Sequence, residues 1–549
     1  MEHIEHIDLK PAPDQVYWTI DRHWNEEVIY FLLVDRFCDG NARMIIREGV
    51  PVDWRTGELE SVCGGNLNGI RANLPYLKQL GITAIWLSPV MENNPESYHG
   101  YAIQDFLSVD PRFGTLDDLK ALIREAHALD LRVILDIVIN HTGNNWHYSE
   151  HRHPVYYRGR RYDFGAWRYP DKPKPLELRN EKYYRKQGEI RRWDAFPETR
   201  EGDFFSLKKL LLDESADGLQ VQEILLKIYA YWIKETDCDG FRIDTVKHAG
   251  MLPVSRFCEG IRAYCESIGK KDFFLFGELT GGDPLLAASL SGSEDNQERF
   301  YNGPDSLLDF PLHFVLEAVI KGKEPFKYLK KRFKSKERYK LGAPHRRYDL
   351  VTFLDNHDQV GAVLKKRIGA EMSEKELLAA LAILFFLPGI PCMYYGTEQH
   401  LRGAGTTDGC IREPMFSSDG RFSLLNPRKW LYGEIARLCE ARKNAGVFGL
   451  PELFFNEQFE DAECLRKVPG EEKMLVFSRL SPDEQLVLLF NQQNIPKTIY
   501  VKILRPLIRA DFVYSIENPH VELVNSMPES RSSGLIKALL APGELVIIK

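Results

Sequence analysis

The chain has no C-x-x-C pair and no evenly spaced cysteine set. Its 9 cysteines, Cys38, Cys63, Cys238, Cys258, Cys265, Cys392, Cys410, Cys439 and Cys464, are scattered and odd in number. That argues against a disulfide framework or a cysteine zinc site and favours reduced thiols. No run approaches about 18 apolar residues, so no membrane-spanning helix is expected. The opening Met1-Glu2-His3-Ile4-Glu5-His6 has no basic segment leading into an apolar one, the mark of a secretory signal. A cytoplasmic location is the expectation, or a secreted one if a signal has been removed. Positive charge is not in excess. The formal net charge is -7, which leaves no footprint for nucleic acid or an anionic membrane. Internal repeats, low-complexity tracts and a Gly-rich phosphate loop are also missing. The last absence argues against a nucleotide-binding open sheet.

What is present is apolar material in blocks. Of 549 residues, 44% are hydrophobic and 28% charged, enough for a sizeable core and several domains. Residues 28–37 (VIYFLLVDRF), 82–90 (ITAIWLSPV) and 131–141 (LRVILDIVINH) read as strands buried on both faces. So do 240–248 (GFRIDTVKH), 273–279 (FFLFGEL), 306–312 (SLLDFPL), 350–358 (LVTFLDNHD) and 390–398 (IPCMYYGTE). Helical stripes lie between them. One is 69–80, with Ile70, Leu74, Leu77 and Leu80 on one side; others are 116–129, 218–235 and 374–386. Eight strand-helix units predict an α/β fold, a closed (β/α)8 TIM barrel over 27–141 and 207–447. Residues 142–206 are rich in Tyr, Arg, His and Pro and have no period. A structureless loop that long is improbable, so they read as a small inserted domain after the third strand. Residues 1–26 form an N-terminal arm. Residues 448–549 hold short apolar runs broken by Pro, Gly and Asn, a C-terminal β-sandwich domain.

In such a barrel, chemistry sits where the strands end. The polar residues of this chain collect there: Asp136 to His141, Arg242 to His248, Gly277-Glu278, and Asp355 to Asp358. Arg242 and Asp244 are two apart, so they share one strand face. A single Arg-x-Asp is commonly a structural ion pair. Four polar strand ends are harder to explain by packing, because uncompensated buried charge is costly. Asp244, Glu278 and Asp358 are therefore expected to converge. Paired carboxylates flanking a bond are what glycoside cleavage requires: one attacks, the other donates a proton. Arg242 should favour ionised Asp244, and Glu278, in an apolar strand, should have a raised pKa.

These residues carry a resemblance. DIVINH, GFRIDTVKH, the Glu of FGEL and FLDNHD resemble, in order and strand position, the four signature stretches of the α-amylase family of glycoside hydrolases. Tyr98-His99-Gly100-Tyr101, with Asp105 and the DPRFG of 110–114, resembles a further stretch. The likeness covers roughly residues 27 to 447. It implies a retaining mechanism through a covalent glycosyl-enzyme intermediate. Asp244 would be the nucleophile, Glu278 the general acid/base, and Asp358 the group gripping the distorted sugar. Arg242, His141 and His357 would hydrogen-bond that sugar or the nucleophile. Tyr101 would stack on its ring, with His99 beside it. Lys247 and His248 would lie on the leaving-group side; the alternative for them is a solvated strand-end pair. Arg412-Glu413-Pro414-Met415 would shape the rim or simply anchor its loop.

The family also implies Ca²⁺, held by Asn140 and a backbone carbonyl at His248. Its usual aspartate in the inserted domain is replaced here by Ser206. A second candidate is Asp39-Gly40-Asn41 with Gly64 and Asn66; the alternative is a turn without an ion. No organic cofactor is expected. The substrate implied is starch, glycogen or maltooligosaccharide, cleaved at α-1,4 bonds. An α-glucan transglycosylase or α-glucosidase would use the same residues, and a non-catalytic glucan-binding barrel is the reading of another class.

Overall fold

The computed structural model describes residues 1–41, 59–150, 153–281, 303–335, 348–359, 362–417, 422–460, 473–504, 512–516, 520–524 and 535–549. Eight short strands form one ring: β1 (Ile29–Leu32), β2 (Ala84–Leu87), β3 (Arg132–Ile137), β4 (Gly240–Ile243), β5 (Phe274–Gly277), β6 (Ser306–Leu307), β7 (Val351–Phe353) and β8 (Ile390–Tyr394). Neighbours pair in parallel around the sheet, and β8 pairs with β1. A parallel bridge from Leu308 to Val351 joins β6 to β7 and closes the ring. The expected (β/α)8 barrel is present.

The strands are wholly buried because the barrel fills one face and helices cover the other. Inside, Phe31 of β1 stacks on Trp86 of β2 at 3.8 Å, and Phe276 of β5 meets Trp86 edge-on at 5.3 Å. This aromatic layer lies against the charged groups. In register, Arg242 faces Asp136 across β3 and β4, and Phe276 across β4 and β5.

Two elements depart from expectation. The sixth strand stops at Leu307, where 306–312 was expected. Asp309 accepts a hydrogen bond from Leu312 N at 3.0 Å and caps the helix Phe310–Ile320, whose first turn holds Pro311. The helix expected over 69–80 is two, Leu67–Ala72 and Leu74–Gln79. Pro75 has no N–H for the carbonyl four residues back, which breaks the first. A hairpin that the periodicity did not reveal, Met91–Asn93 with Ile103–Val109, follows β2.

The segment after β3 leaves and returns through one two-stranded ladder. His141 and Thr142 pair antiparallel with Lys209 and Lys208. Further on, two antiparallel sheets stack. One holds Glu452–Phe455, Met474–Leu480, Gln485–Asn491, Leu545–Ile548 and Phe512–Ser515. The other holds Gln458–Phe459, Lys497–Lys502, Leu535–Leu540 and His520–Val524. Met474, Val476, Val487 and Leu489 face the second sheet, with Ile499, Val501 and Ile536. Leu475, Phe477, Leu486 and Leu488 face the other way and join the barrel's core. The strands Met474–Leu480, Gln485–Asn491 and Leu545–Ile548 are thus buried on both faces. Alternate residues serve two cores, which is why these strands read as unbroken apolar runs.

Candidate active site

The site is built around one guanidinium. Arg242 is wholly buried at the end of β4. Its Nη1 donates to Asp136 Oδ1 and to Asp244 Oδ1, both at 2.8 Å. Its Nη2 lies 2.8 Å from Glu278 Oε2. One cation thus serves three carboxylates, from β3 and from the turns after β4 and β5. Asp136 is held further by Tyr101 OH at 2.8 Å and Trp86 Nε1 at 3.1 Å. Glu278 Oε2 accepts from Thr245 N at 3.1 Å. Thr245 takes a left-handed conformation (φ 48°), which turns the chain straight after Asp244.

Three acids on one cation leave excess negative charge, and burial removes the water that would screen it. Burial pushes Glu278 up to about 7, Arg242 opposing and Asp244 and Asp358 adding. Burial also pushes Asp244 up to about 6, against the pull of Arg242 and with the repulsion of Asp136 and Asp358. The expectation for Glu278 holds in direction. For Asp244 the guanidinium does not win: two other acids share it, so desolvation dominates.

Asp358 lies on the same mouth and behaves oppositely. Burial opposes its charge, yet His357, Arg412 and Arg242 hold it well below the usual carboxylate range. Burial pushes His357 itself down to about 3, so at neutral pH the lasting partner is Arg412. The Arg412 Nη2 donates to Asp358 Oδ1, its Nε donates to His357 O at 2.9 Å, and its Nη1 to Tyr98 OH at 3.2 Å. Arg412 therefore joins the acid it borders.

The other nominated residues surround these acids. The Tyr101 ring stacks on His357 at 5.3 Å and on His99 at 5.7 Å. His99 Nδ1 accepts from Tyr101 N at 3.0 Å, and the His141 Nε2–H donates to Tyr101 O at 3.2 Å. His99 and His141 are both pushed by burial down to about 3, so they are neutral. Lys247 pairs with Asp194, an exposed residue of the segment after β3. The His248 ring is fixed by that same segment: its Nδ1 donates to Thr199 O at 2.7 Å, and it makes a T-shaped contact with the Phe204 ring at 4.4 Å.

The calcium expectation fails on its ligands. The Lys209 Nζ donates to Asn140 Oδ1 and, at 2.9 Å, to His248 O. These are the two oxygens nominated for Ca²⁺, and a lysine amine takes the cation's place between them. Asp203, a buried acid of the segment, accepts from Lys209 N at 2.9 Å and Tyr148 OH at 2.6 Å. A dication beside a basic side chain lacks the acidic oxygen shell it needs. The Asp39 and Asn41 candidate also fits poorly. Asn41 N and Nδ2 donate to the two Asp39 carboxylate oxygens at 3.0 and 2.9 Å, the bonding of a turn. The Asn66 amide presents N–H, not oxygen, to Asp39 O at 3.2 Å. Among the described residues no group of three or more His, Cys, Asp or Glu is placed to hold a metal.

Asp136 and Lys209 were not singled out as site residues from sequence, and Arg412 was nominated only for the rim. Asp136 was visible as an acid within an apolar strand. The contact of Arg412 with Asp358 and that of Lys209 with Asn140 span more than fifty residues and left no local signal.

The chain as a whole is similar to known proteins. The family model for the α-amylase catalytic domain matches residues 31–440. An α-amylase from Streptomyces lividans is 33% identical over 404 residues, 65% of this chain and 42% of that one. A cyclomaltodextrin glucanotransferase from Klebsiella oxytoca is 29% identical over 536 residues, 90% of this chain and 74% of that one. The chain thus spans less than half of the Streptomyces relative. An Anoxybacillus α-amylase structure superimposes with a TM-score of 0.69 at 28% identity, covering 96% of this chain and 99% of that one. With the closed barrel and the matched catalytic-domain model, these likenesses show that the chain is an enzyme of the α-amylase family of glycoside hydrolases.

Proposed function

We propose that the enzyme cleaves α-1,4-glucosidic bonds of starch, glycogen or maltooligosaccharides with retention. The observation that carries the reading is geometric: two carboxyls, Asp244 and Glu278, sit on the two Nη atoms of one buried Arg242, each at 2.8 Å. Asp244, which accepts from Arg242 Nη1 in a charge-assisted bond, is ionised and attacks the anomeric carbon. Glu278, near 7, gives its proton to the departing glycosidic oxygen as that bond breaks. Glu278, now a carboxylate, takes a proton from an incoming water as its oxygen attacks the same carbon, and Asp244 leaves. Asp358, held ionised by Arg412, accepts hydrogen bonds from the hydroxyls of the distorted ring. Tyr101, His141 and His357 complete the pocket for that ring, with His99 behind Tyr101; Lys247 and His248 face the leaving group.

The same reading assigns 27–141 and 207–447 to the catalytic barrel, 142–206 to the inserted domain, 448–549 to the C-terminal domain and 1–26 to an arm. Retention is tested by proton NMR of the first product from maltoheptaose. An α-anomer formed first supports it, and a β-anomer formed first rejects it. A second reading, transfer to a sugar acceptor, is favoured by the likeness to the Klebsiella glucanotransferase over 90% of the chain. A timed product profile separates the two. Products longer than seven units, or cyclic ones, appearing before maltose point to transfer. Maltose and maltotriose alone point to hydrolysis.

A further inference from the structure

A cavity of about 220 Å³ lies beside the segment after β3, against the start of the helix Met251–Ser267. Its polar lining is basic: Arg185, Arg200 and Lys209, with no acid in the wall. Arg185 has an acidic neighbour, Asp213, at 3.4 Å, and its Nε is buried without a hydrogen-bond acceptor; Lys209 has Asp203, which accepts from its backbone N at 2.9 Å. Arg200 has no ion-pair partner among the described residues; its guanidinium lies 5.6 Å from the Phe196 ring centre. The acids nearest to it in sequence are engaged elsewhere. Glu198 accepts from the Arg191 and Arg192 backbone, and Glu201 accepts from Tyr156 OH at 2.6 Å.

The remaining wall adds to the same sign. The 17-residue helix Met251–Ser267 starts at Gly250 with no side-chain cap and no acid in its first turn. The positive end of its dipole therefore faces the cavity. Gly250 has φ +98°, a left-handed conformation that favours glycine at the start of this helix.

Burial pushes the Lys209 amine well below the ordinary lysine range, so the charge rests on the two guanidinium groups; with one carboxylate, Asp213, and a helix start beside them they are an unbalanced arrangement, since uncompensated buried charge is strongly unfavourable. We propose that this cavity binds a phosphate-type oxyanion. Two guanidinium groups present planar forks suited to paired bonds with an oxyanion's oxygens. The volume exceeds what a single halide fills and admits a phosphate or a small phosphate ester. The site has a route to the catalytic mouth. Lys209 forms part of its wall and also holds Asn140 Oδ1 and His248 O, just beyond β3 and β4, the strands leading to Asp136 and Asp244.

The test is thermal unfolding of the full chain with inorganic phosphate, against sodium chloride of equal ionic strength. Phosphate is expected to raise Tm by about 2 °C at a hundredfold excess over its dissociation constant. Arg200→Gln is expected to abolish that rise and to leave phosphate-free cleavage of maltoheptaose at the wild-type rate. Arg185→Gln gives a second reading of the same loss if Arg200→Gln does not fold. Glucose 1-phosphate distinguishes the source: tighter binding than inorganic phosphate assigns a sugar phosphate, and equal or weaker binding assigns free phosphate. No rise above the chloride control overturns the site, as does a rise undiminished in both variants.

Discussion

Two charged clusters sit near the ends of β3 and β4, and they are opposites. At the barrel mouth, one arginine is shared by Asp136, Asp244 and Glu278. At the edge of the segment after β3, Arg185, Arg200 and Lys209 line one cavity with no acid in its wall, and Asp213 pairs with Arg185 alone among them. Both depart from charge balance, and the difference teaches what each is for. Excess negative charge around buried carboxyls raises their proton affinity, so one of them can carry a proton to a leaving group. Excess positive charge cannot be relieved that way by arginine, which keeps its proton. It calls for a counterion or for carbonyl oxygens.

The sharpest way to break the comparison is at the acid cluster. Asp244→Asn keeps the size of the side chain and removes the attacking charge. Turnover of maltoheptaose should fall by on the order of 10⁴, while calorimetry still detects maltotriose binding. A variant near wild-type rate would mean that Asp244 is only an ion-pair partner. Arg412→Ala acts one step out. It removes the charge-assisted bond that keeps Asp358 ionised, so kcat/KM should fall roughly 10- to 100-fold. Arg412→Lys should recover part of the loss if charge is what matters. An unchanged kcat/KM in Arg412→Ala would assign Arg412 to loop anchoring.

The wild-type pH profile sharpens the acid side further. Asp244 must be ionised, and its carboxyl is pushed up to about 6; Glu278 must be protonated, and its carboxyl is pushed up to about 7. The rate therefore falls below about pH 6 as Asp244 gains its proton, and above about pH 7 as Glu278 loses its own. Each limb should approach tenfold per pH unit. A plateau running unbroken from pH 4 to 9 would show that this cluster does not set the proton affinities.

Much of this was legible in the chain itself, for reasons of distance. A strand buried on both faces writes itself as four to eight apolar residues in a row, so the eight barrel strands could be read directly. The acids Asp244, Glu278 and Asp358 close those strands, and a barrel brings strand ends together whatever lies between them. Proline and capping chemistry were present but unweighed: Asp309 with Pro311 ends β6 early, and Pro75 splits a helix. Arg242 favours ionised Asp244, as its place two residues away implies, but the burial and the competing acids that outweigh it are not written in the local sequence. Asp136, which competes for that arginine from β3, is 106 residues from it. Lys209 was hidden more completely. Its role rests on Asn140, 69 residues away, and on a backbone carbonyl, which no residue type announces.

That amine gives the smallest effect and the cleanest contrast with the acids. Lys209→Met keeps the length and apolar stem of the side chain and deletes only its donors. Asn140 Oδ1 and His248 O then lose the partner that ties the end of β3 to the turn after β4. Tm should fall by about 2–4 °C, the scale of one or two orphaned buried acceptors in a chain of this size. Calcium offers the counter-test, because the same two oxygens are where a family calcium would bind. Chelation followed by added Ca²⁺ should leave the wild-type Tm unmoved, since Lys209 already fills that place. A wild-type Tm that rises with Ca²⁺, and no longer does so in Asn140→Ala, would return the site to the metal and make Lys209 its displaced neighbour.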